Sequence, residues 1–180
     1  MASKFEALTT PLGTLEWIFI TGMGKENYNR DGHEYTSDII LDGDKAEALK
    51  TQITDFFHAE FGAKANPKSL GFKEQEDGST RFSFKTKTTK RDGSARKIIV
   101  GDSKGKPMDL GDRKISNGST GVIHGALGTY VNGQSKGVSL FLNKVQLLNF
   151  IPYEGDGAME DLGGDGGYEE PDMHTMEDDY

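Results

Sequence analysis

Residues 121–151 read GVIHGALGTYVNGQSKGVSLFLNKVQLLNFI, and this stretch decides the fold class. It holds two long segments rich in strand-forming residues, Gly121–Val131 and Val138–Ile151, joined through Asn132-Gly133. Asn-Gly between two such segments is a strong signal of a β-hairpin, because both residues readily adopt the positive φ of a tight turn. In the second segment the apolar alternation loses its phase over residues 145–148, which is consistent with a β-bulge.

Upstream of this hairpin, the clearest strand is predicted over Thr80–Thr89. Phe82 and Phe84 alternate there with basic and polar residues. The pattern is typical of an antiparallel strand with one face in the core and a basic face in solvent. The turn signal Arg91-Asp92-Gly93 follows, and Arg96–Val100 is predicted as the return strand.

Two more strands are predicted nearer the N-terminus. Thr14–Thr21 follows a Pro-Leu-Gly turn, and its period-two spacing predicts that Leu15, Trp17 and Phe19 share one face. Glu34–Leu41 is enriched in β-branched and aromatic residues, which favours a second strand.

One helix is predicted over Asp44–Phe61. Asp44 is a suitable N-cap residue, Glu47 stands three residues later at the capping-box position, and Gly62 is a suitable C-terminal stop. A stripe at helical spacing predicts the face that packs on the sheet: Ala46, Leu49, Ile53, Phe56 and Phe57.

About six short strands, frequent turns and a single helix predict a mainly β domain over residues 1–153, either a small barrel or a sandwich. Residues 154–180 are rich in Gly and acids, and they hold few aliphatic side chains. Such a segment cannot bury enough apolar surface to offset the entropy that it would lose on folding. We therefore expect a disordered acidic tail.

The charge of −8 is divided unevenly along the chain. All 21 Lys and Arg residues precede residue 154, together with 18 acids, whereas the tail holds 11 acids and no base. A body of +3 and a tail of −11 favour a nucleic-acid-binding protein with a charged tail. The chain has no Cys and no apolar run of signal-peptide or membrane-span length, so we expect a cytoplasmic protein without disulfides.

The basic residues are concentrated between Arg81 and Lys114, where 11 Lys and Arg accompany four acids. Such a surface attracts phosphates by counterion release, whatever the base sequence. For a charge run alone, a solubilising face is the alternative, but the acidic setting and the neighbouring aromatics favour nucleic acid. The candidate phosphate-binding residues are Lys85, Lys87, Lys90, Arg91, Arg96, Lys97, Lys104 and Lys106.

Three aromatic residues are candidate stacking platforms for bases. Tyr130 lies at a strand end beside a Gly-rich turn, Phe141 is out of phase with its apolar neighbours, and Trp17 lies in the first predicted strand. Each stacked base contributes about 1–3 kcal/mol and any base can be accepted, so a few rings suffice. Core packing is the alternative for each ring.

Catalysis has little support in the sequence. His33, His58, His124 and His174 lie far apart and lack metal-ligand spacing. The segment GDSKGKP at residues 101–107 lacks the four-residue gap and the Ser or Thr of a phosphate-binding loop. We expect a protein that is not an enzyme and needs neither cofactor nor metal.

Several motifs, in order and at similar spacing, resemble the single-stranded-DNA-binding proteins of tailed bacteriophages, particularly the short-tailed phages. The similar stretches include TTPLGTLEWIFIT at 9–21, VGDSKGKPMD at 100–109 and GVSLFLNKVQLLNF at 137–150. The resemblance implies an OB-fold barrel with a packed helix. It also implies sequence-independent binding of single-stranded DNA in phage replication, recombination and repair, in the cytoplasm of a bacterial host.

The resemblance extends to individual residues. Tyr130 matches a stacking tyrosine, whereas Asn132 stands where relatives can have a tryptophan. The tail, ending in Glu177-Asp178-Asp179-Tyr180, matches a segment that contacts the phage polymerase and helicase-primase and supports a homodimer. It is shorter than in the best-known relatives and ends in Tyr instead of Phe.

The predicted mechanism divides the work between the two parts of the chain. The basic face holds DNA, and the acidic tail competes with DNA and recruits replication proteins once it is displaced. Two alternative hypotheses also fit the sequence: an acidic DNA mimic that inhibits a host nuclease, and a small structural virion protein.

Overall fold

A computed structural model describes residues 5–26, 32–111 and 113–153. The elements are β1 Phe5–Thr9, β2 Gly13–Phe19, β3 Lys25–Glu26, β4 His33–Leu41, α1 Gly43–Phe61, β5 Phe72–Glu74, β6 Thr80–Lys87, β7 Ile99–Gly101, β8 Thr120–Asn132 and β9 Ser135–Asn149. The predicted disordered tail, residues 154–180, lies outside the described residues. Among the described residues, no helix has the length and apolar character to cross a membrane.

Five strands close into a barrel. Along the sheet, β8 pairs with β2, β2 with β4, β4 with β6 and β6 with β9, and β9 returns to β8. All of these pairs are antiparallel except β6 with β9, which is parallel and meets at Lys85 and Phe141. The mainly β prediction is confirmed, and the barrel is of the OB type that the resemblance implies.

The barrel interior holds one apolar core. Leu15, Ile39, Phe82, Ile123 and Leu142 are fully buried, one from each barrel strand. Burial of a side chain of this size stabilises the fold by roughly 1.5–3 kcal/mol. The core positions predicted for Phe82 and Phe84 are confirmed.

Helix α1 packs its apolar stripe on β8 and β9, and all five predicted stripe residues are buried. The predicted N-cap is wrong. The helix begins at Gly43 after the extended residue Asp42, whose side chain makes no capping hydrogen bond, so Asp44 lies in the first turn. The chain turns at Gly43, which has a φ of 57°. The helix therefore begins one residue before the predicted start at Asp44.

The predicted face of Trp17 in β2 is also wrong. Leu15 and Ile18 are buried while Trp17 is 54% exposed, because the pairing with β4 slips between Glu16 and Phe19. Trp17 has a φ of 50°, a left-handed backbone conformation that residues other than glycine seldom adopt. Its N–H donates to Oδ1 of Asn117 at 2.8 Å, which holds the bulge.

In the β8–β9 hairpin, the predicted turn and bulge are both present. Gly133 has a φ of 61°, and Asn132 pairs with Ser135. The pairing slips where Asn143 and Leu148 are extra residues in β9. The first slip moves Val145 and Leu147 onto the buried face that Leu142 occupies before it.

The predicted return strand at Arg96–Val100 is corrected to a short strand, β7, which pairs in parallel with β9. Only a single bridge, Thr89 with Ala95, continues the hairpin from β6. The chain therefore leaves the β6 hairpin early and crosses to the far edge of β9. The prediction of about six strands was too low, because the structure also contains the short strands β1, β3 and β5.

Candidate nucleic-acid interface

The outward face of β6 and β9 carries two adjoining hollows. One, of about 520 Å³, is lined by Ser83 and Lys85 from β6, Ser139 from β9 and Tyr130 from β8. The other, of about 730 Å³, lies beyond the Lys85–Phe141 bridge. We call the two together the basic groove.

Strand alternation places the groove residues. Phe82 and Phe84 point into the core, so Ser83, Lys85 and Lys87 point outward from the same strand. The second hollow adds cations from the hairpin after β6. Within the part of the chain that the structure describes, its lining holds no carboxylate: Phe5, Thr86, Lys87, Thr89, Lys90, Arg91, Arg96, Ala126, Phe141 and Asn143. Its surface is therefore positive and suits an anion such as the phosphate backbone.

The cations of the groove are available to a ligand. Lys85, Lys87, Lys90, Arg91 and Arg96 take part in none of the ion pairs found within the described residues. Arg96 donates through Nε to the carbonyl of Lys87 at 3.1 Å, which ties the hairpin base to β6.

The turn of the hairpin that carries Lys90 and Arg91 is held by hydrogen bonds to the carboxylate of Asp92. The Asp92 carboxylate accepts hydrogen bonds from the hydroxyl and the N–H of Ser94. The hydrogen bond from the Ser94 side chain, followed by that from its backbone, lowers the pKa of Asp92. The acid thus remains ionised and occupied in the turn, without forming an ion pair to either neighbouring cation.

Tyr130 forms the wall at one end of the groove. Its ring lies over Gly137, the residue opposite it in the hairpin, where an added Cβ would stand 2.6 Å from Cε1. A glycine is therefore required under the ring. Tyr130 is also at the end of β8 beside the β8–β9 turn, a loop that OB folds use for oligonucleotides.

The structure brings seven of the predicted DNA-binding residues into this groove: Lys85, Lys87, Lys90, Arg91, Arg96, Tyr130 and Phe141. Sequence reasoning missed Phe5, because β1 is too short to show periodicity. It also missed Ser139 and Asn143, whose outward positions depend on the hairpin register and on the bulge.

The remaining four candidates lie elsewhere. Trp17 borders a hollow of about 270 Å³ with Ile115 and Tyr153, and Lys97 borders another with Asp109. Neither residue lines the basic groove. Their predicted part in DNA binding stays a prediction.

Lys104 and Lys106 lie in a tight turn closed by Asp102, whose Oδ1 accepts hydrogen bonds from both of their N–H groups at 2.9 Å. Gln146 of β9 donates to the carbonyl of Ser103 in this turn at 3.3 Å. Phe141 lies five residues earlier in the same strand, about 16 Å away at the rise of a β-strand. The turn therefore stands farther along β9 than the groove.

No metal site emerges from the described ranges, which hold no cluster of three or more His, Asp or Glu side chains. Comparison with models of protein families and with curated proteins finds no match.

Solved structures do match. The gp2.5 single-stranded-DNA-binding protein of bacteriophage T7 aligns with 22% identity and a TM-score of 0.66, over 91% of this chain and all of that one. The fold is that of phage single-stranded-DNA-binding proteins. A C-terminally truncated single-stranded-DNA-binding protein of bacteriophage Enc34 aligns with 12% identity and a TM-score of 0.61, over 82% of this chain and 88% of that one.

The Enc34 protein has also been solved in complex with single-stranded DNA. In that form it aligns with 13% identity and a TM-score of 0.58, over 87% of this chain and 89% of that one. At these identities the likeness concerns the path of the backbone, and the chemistry of the interface depends on this chain's own residues.

Proposed function

We propose that this chain binds single-stranded DNA without sequence preference and has no enzymatic activity. The observation that carries the proposal is the basic groove, in which cations and aromatic rings line one face of an OB-type barrel. Among the described residues, these cations form no ion pair and no carboxylate borders the second hollow. The fold supports it, since the matching solved proteins are named for single-stranded-DNA binding.

The groove suits unpaired nucleotides better than a duplex. Cations without ion pairs attract phosphates of either nucleic acid. Rings such as Tyr130 gain from stacking only when a base face is free, and the paired bases of a duplex are already stacked. We expect contacts to backbone and base faces, which carry no sequence information.

The proposal is tested by titrating a fluorescent oligo(dT) at several salt concentrations. Log affinity should fall with log salt at about 0.7 per phosphate contact for a single strand. We expect Lys85→Ala/Lys87→Ala to lower that slope by about 1.4, since each removed contact contributes about 0.7. Duplex DNA of equal length should bind more weakly.

The matched control is Lys45→Ala/Lys64→Ala, which removes two exposed lysines at the two ends of the α1 region, outside the groove lining. It should leave the slope as in the wild type. If both double variants lower the slope equally, net charge and not the groove governs binding. If the body binds no DNA while the chain inhibits a nuclease, the acidic-mimic function is correct.

We further propose that the acidic tail, residues 154–180, competes with DNA for the groove. The charge contrast supports this, because 11 acids without a base follow directly on a body of opposite net charge. Deleting the tail should tighten oligo(dT) binding, with the gain shrinking at high salt. Unchanged affinity and salt slope would rule the competition out.

The finer roles rest on the resemblance and the tail sequence. We propose that the freed tail, through Glu177, Asp178, Asp179 and Tyr180, recruits the phage DNA polymerase and helicase-primase. The chain would then act as a homodimer in replication, recombination and repair in the host cytoplasm. Tyr180→Ala should weaken capture of both enzymes while leaving oligo(dT) affinity unchanged, and sedimentation should show a dimer that tail deletion disrupts.

A further inference from the structure

The second hollow of the basic groove holds an aromatic pair that core packing does not explain. Phe5 is 62% exposed, and its ring centroid lies 5.8 Å from that of Phe141 with the planes at 50°. A ring left mostly in water gains little from the hydrophobic effect. Its position therefore needs another reason.

The strand beneath the pair is shaped to hold it. Phe5 lies opposite Gly128 in the β1–β8 pairing, and a Cβ on Gly128 would stand 2.6 Å from Cε2 of Phe141 and 3.0 Å from Cε1 of Phe5. Glycine weakens a strand interior and often marks a close approach. Here it leaves the space in which both rings lie.

The surroundings of the pair are cationic. Lys87, Lys90, Arg91 and Arg96 border the same hollow as the two rings, and none of the described residues in its lining is a carboxylate. A ring beside positive charge and open to solvent is the arrangement that binds a base together with its phosphate.

We propose that Phe5 and Phe141, supported on Gly128, form a second stacking platform for the bases of single-stranded DNA. The first platform is Tyr130, four residues from Ala126, the partner of Phe141 in the hairpin. That separation is about 13 Å at the rise of a strand, a distance within the reach of the roughly 4–16 nucleotides that one OB fold binds. One strand of DNA would therefore meet both platforms with its phosphates along Lys85 and Lys87. This inference rests on the proposed function and adds a residue, Phe5, to it.

Two variants test the platform by oligo(dT) titration of the full chain. Phe5→Ala should weaken binding about 5- to 150-fold, the range that corresponds to one stacked base. The salt slope should not change, since no charge is lost. Gly128→Ala keeps both phenylalanines but displaces the ring of Phe141, and it should weaken binding too.

Controls separate stacking from general apolarity. Phe5→Leu keeps an apolar side chain without a ring and should behave like Phe5→Ala. Met23→Ala removes another exposed apolar side chain, 71% exposed and outside the groove, and should bind as the wild type does. Thermal unfolding checks that every variant is folded.

A local reporter adds an independent readout. In the variant Trp17→Phe/Phe5→Trp the single tryptophan stands on the platform, and oligo(dT) should quench its emission. The platform is overturned if Phe5→Ala binds within twofold of a wild type that does bind, or if its only effect is to dissociate a dimer. A wild type without salt-dependent binding overturns the proposed function itself.

Discussion

The two halves of β6 both carry basic residues, but one half has its charge matched by acids and the other half does not within the described residues. Arg81 donates to Asp38 at 3.0 Å and to Glu16 through its other terminal nitrogen, and all three side chains are partly buried. Lys85 and Lys87 follow on the same face of the strand, exposed and without an ion pair among the described residues.

This difference shows that a basic residue counts toward a binding surface only when its charge is not already matched. Burial disfavours the charge of Arg81, but its hydrogen bonds to Asp38 and then Glu16 outweigh burial and raise its pKa. The β2–β4 side of the face is therefore occupied by its own ion pairs. The β6–β9 side is left for an external anion.

The largest expected effect is on stability, and it tests the ion pairs that Arg81 forms with Glu16 and Asp38. Arg81→Ala leaves two partly buried carboxylates unpaired, and we expect it to destabilise the protein by about 2 kcal/mol in urea unfolding. The salt slope of oligo(dT) binding should be unchanged. Lys85→Ala is the control, with a stability change within about 0.5 kcal/mol. Equal destabilisation by both variants would contradict the division.

The next test concerns Tyr130, the aromatic ring at the end of the basic groove. Tyr130→Ala should weaken oligo(dT) binding by about 1–3 kcal/mol, the contribution of one stacked base, while Tyr130→Phe keeps most of the affinity. Tyr153→Ala is a matched control, because that ring lies beside Trp17 and outside the groove. A Tyr130→Phe variant as weak as Tyr130→Ala would mean that the hydroxyl, not the ring face, matters.

A smaller effect is expected at the hairpin tip. The pKa of Asp92 is lower in the folded chain than in the unfolded chain. The contribution of this carboxylate to the stability of the fold is therefore present above the ordinary carboxyl pKa, and it is lost as the pH falls through the lowered pKa. Ser94→Ala should move that titration upward, as followed by NMR. Asp77 and Ser79 form the same arrangement and serve as the internal reference. An unmoved titration would show that the hydroxyl is not the cause.

The smallest expected effect is at Trp17, the only tryptophan. Since its ring lies away from the basic groove, saturating oligo(dT) should leave its emission unchanged in a tail-deleted chain. Strong quenching would extend the DNA path to the far end of the barrel and restore the role that the sequence predicts for this ring.

Local pattern predicted most of the fold. The alternation in residues 80–87, the Asn132-Gly133 turn and the stripe of α1 each depend on neighbours within a few residues, and the structure contains all three. The start of α1 and the face of Trp17 were missed because each depends on a residue with positive φ that the apolar pattern does not show. β1, β3 and β5 were missed because strands of two to five residues are too short for periodicity.

The sequence alone determined a β-rich body of positive charge, the cationic strand face and the contrast with an acidic tail, because composition and period-two spacing are properties of the chain itself. The tertiary structure decided which charges are matched, since only the pairing of β2, β4 and β6 brings Glu16 and Asp38 to Arg81. Lys85, by contrast, has no ion pair among the described residues. The tertiary structure also placed Phe5 beside Phe141 across 136 residues of chain. Contacts between distant segments depend on register, and register is set by bulges and barrel closure.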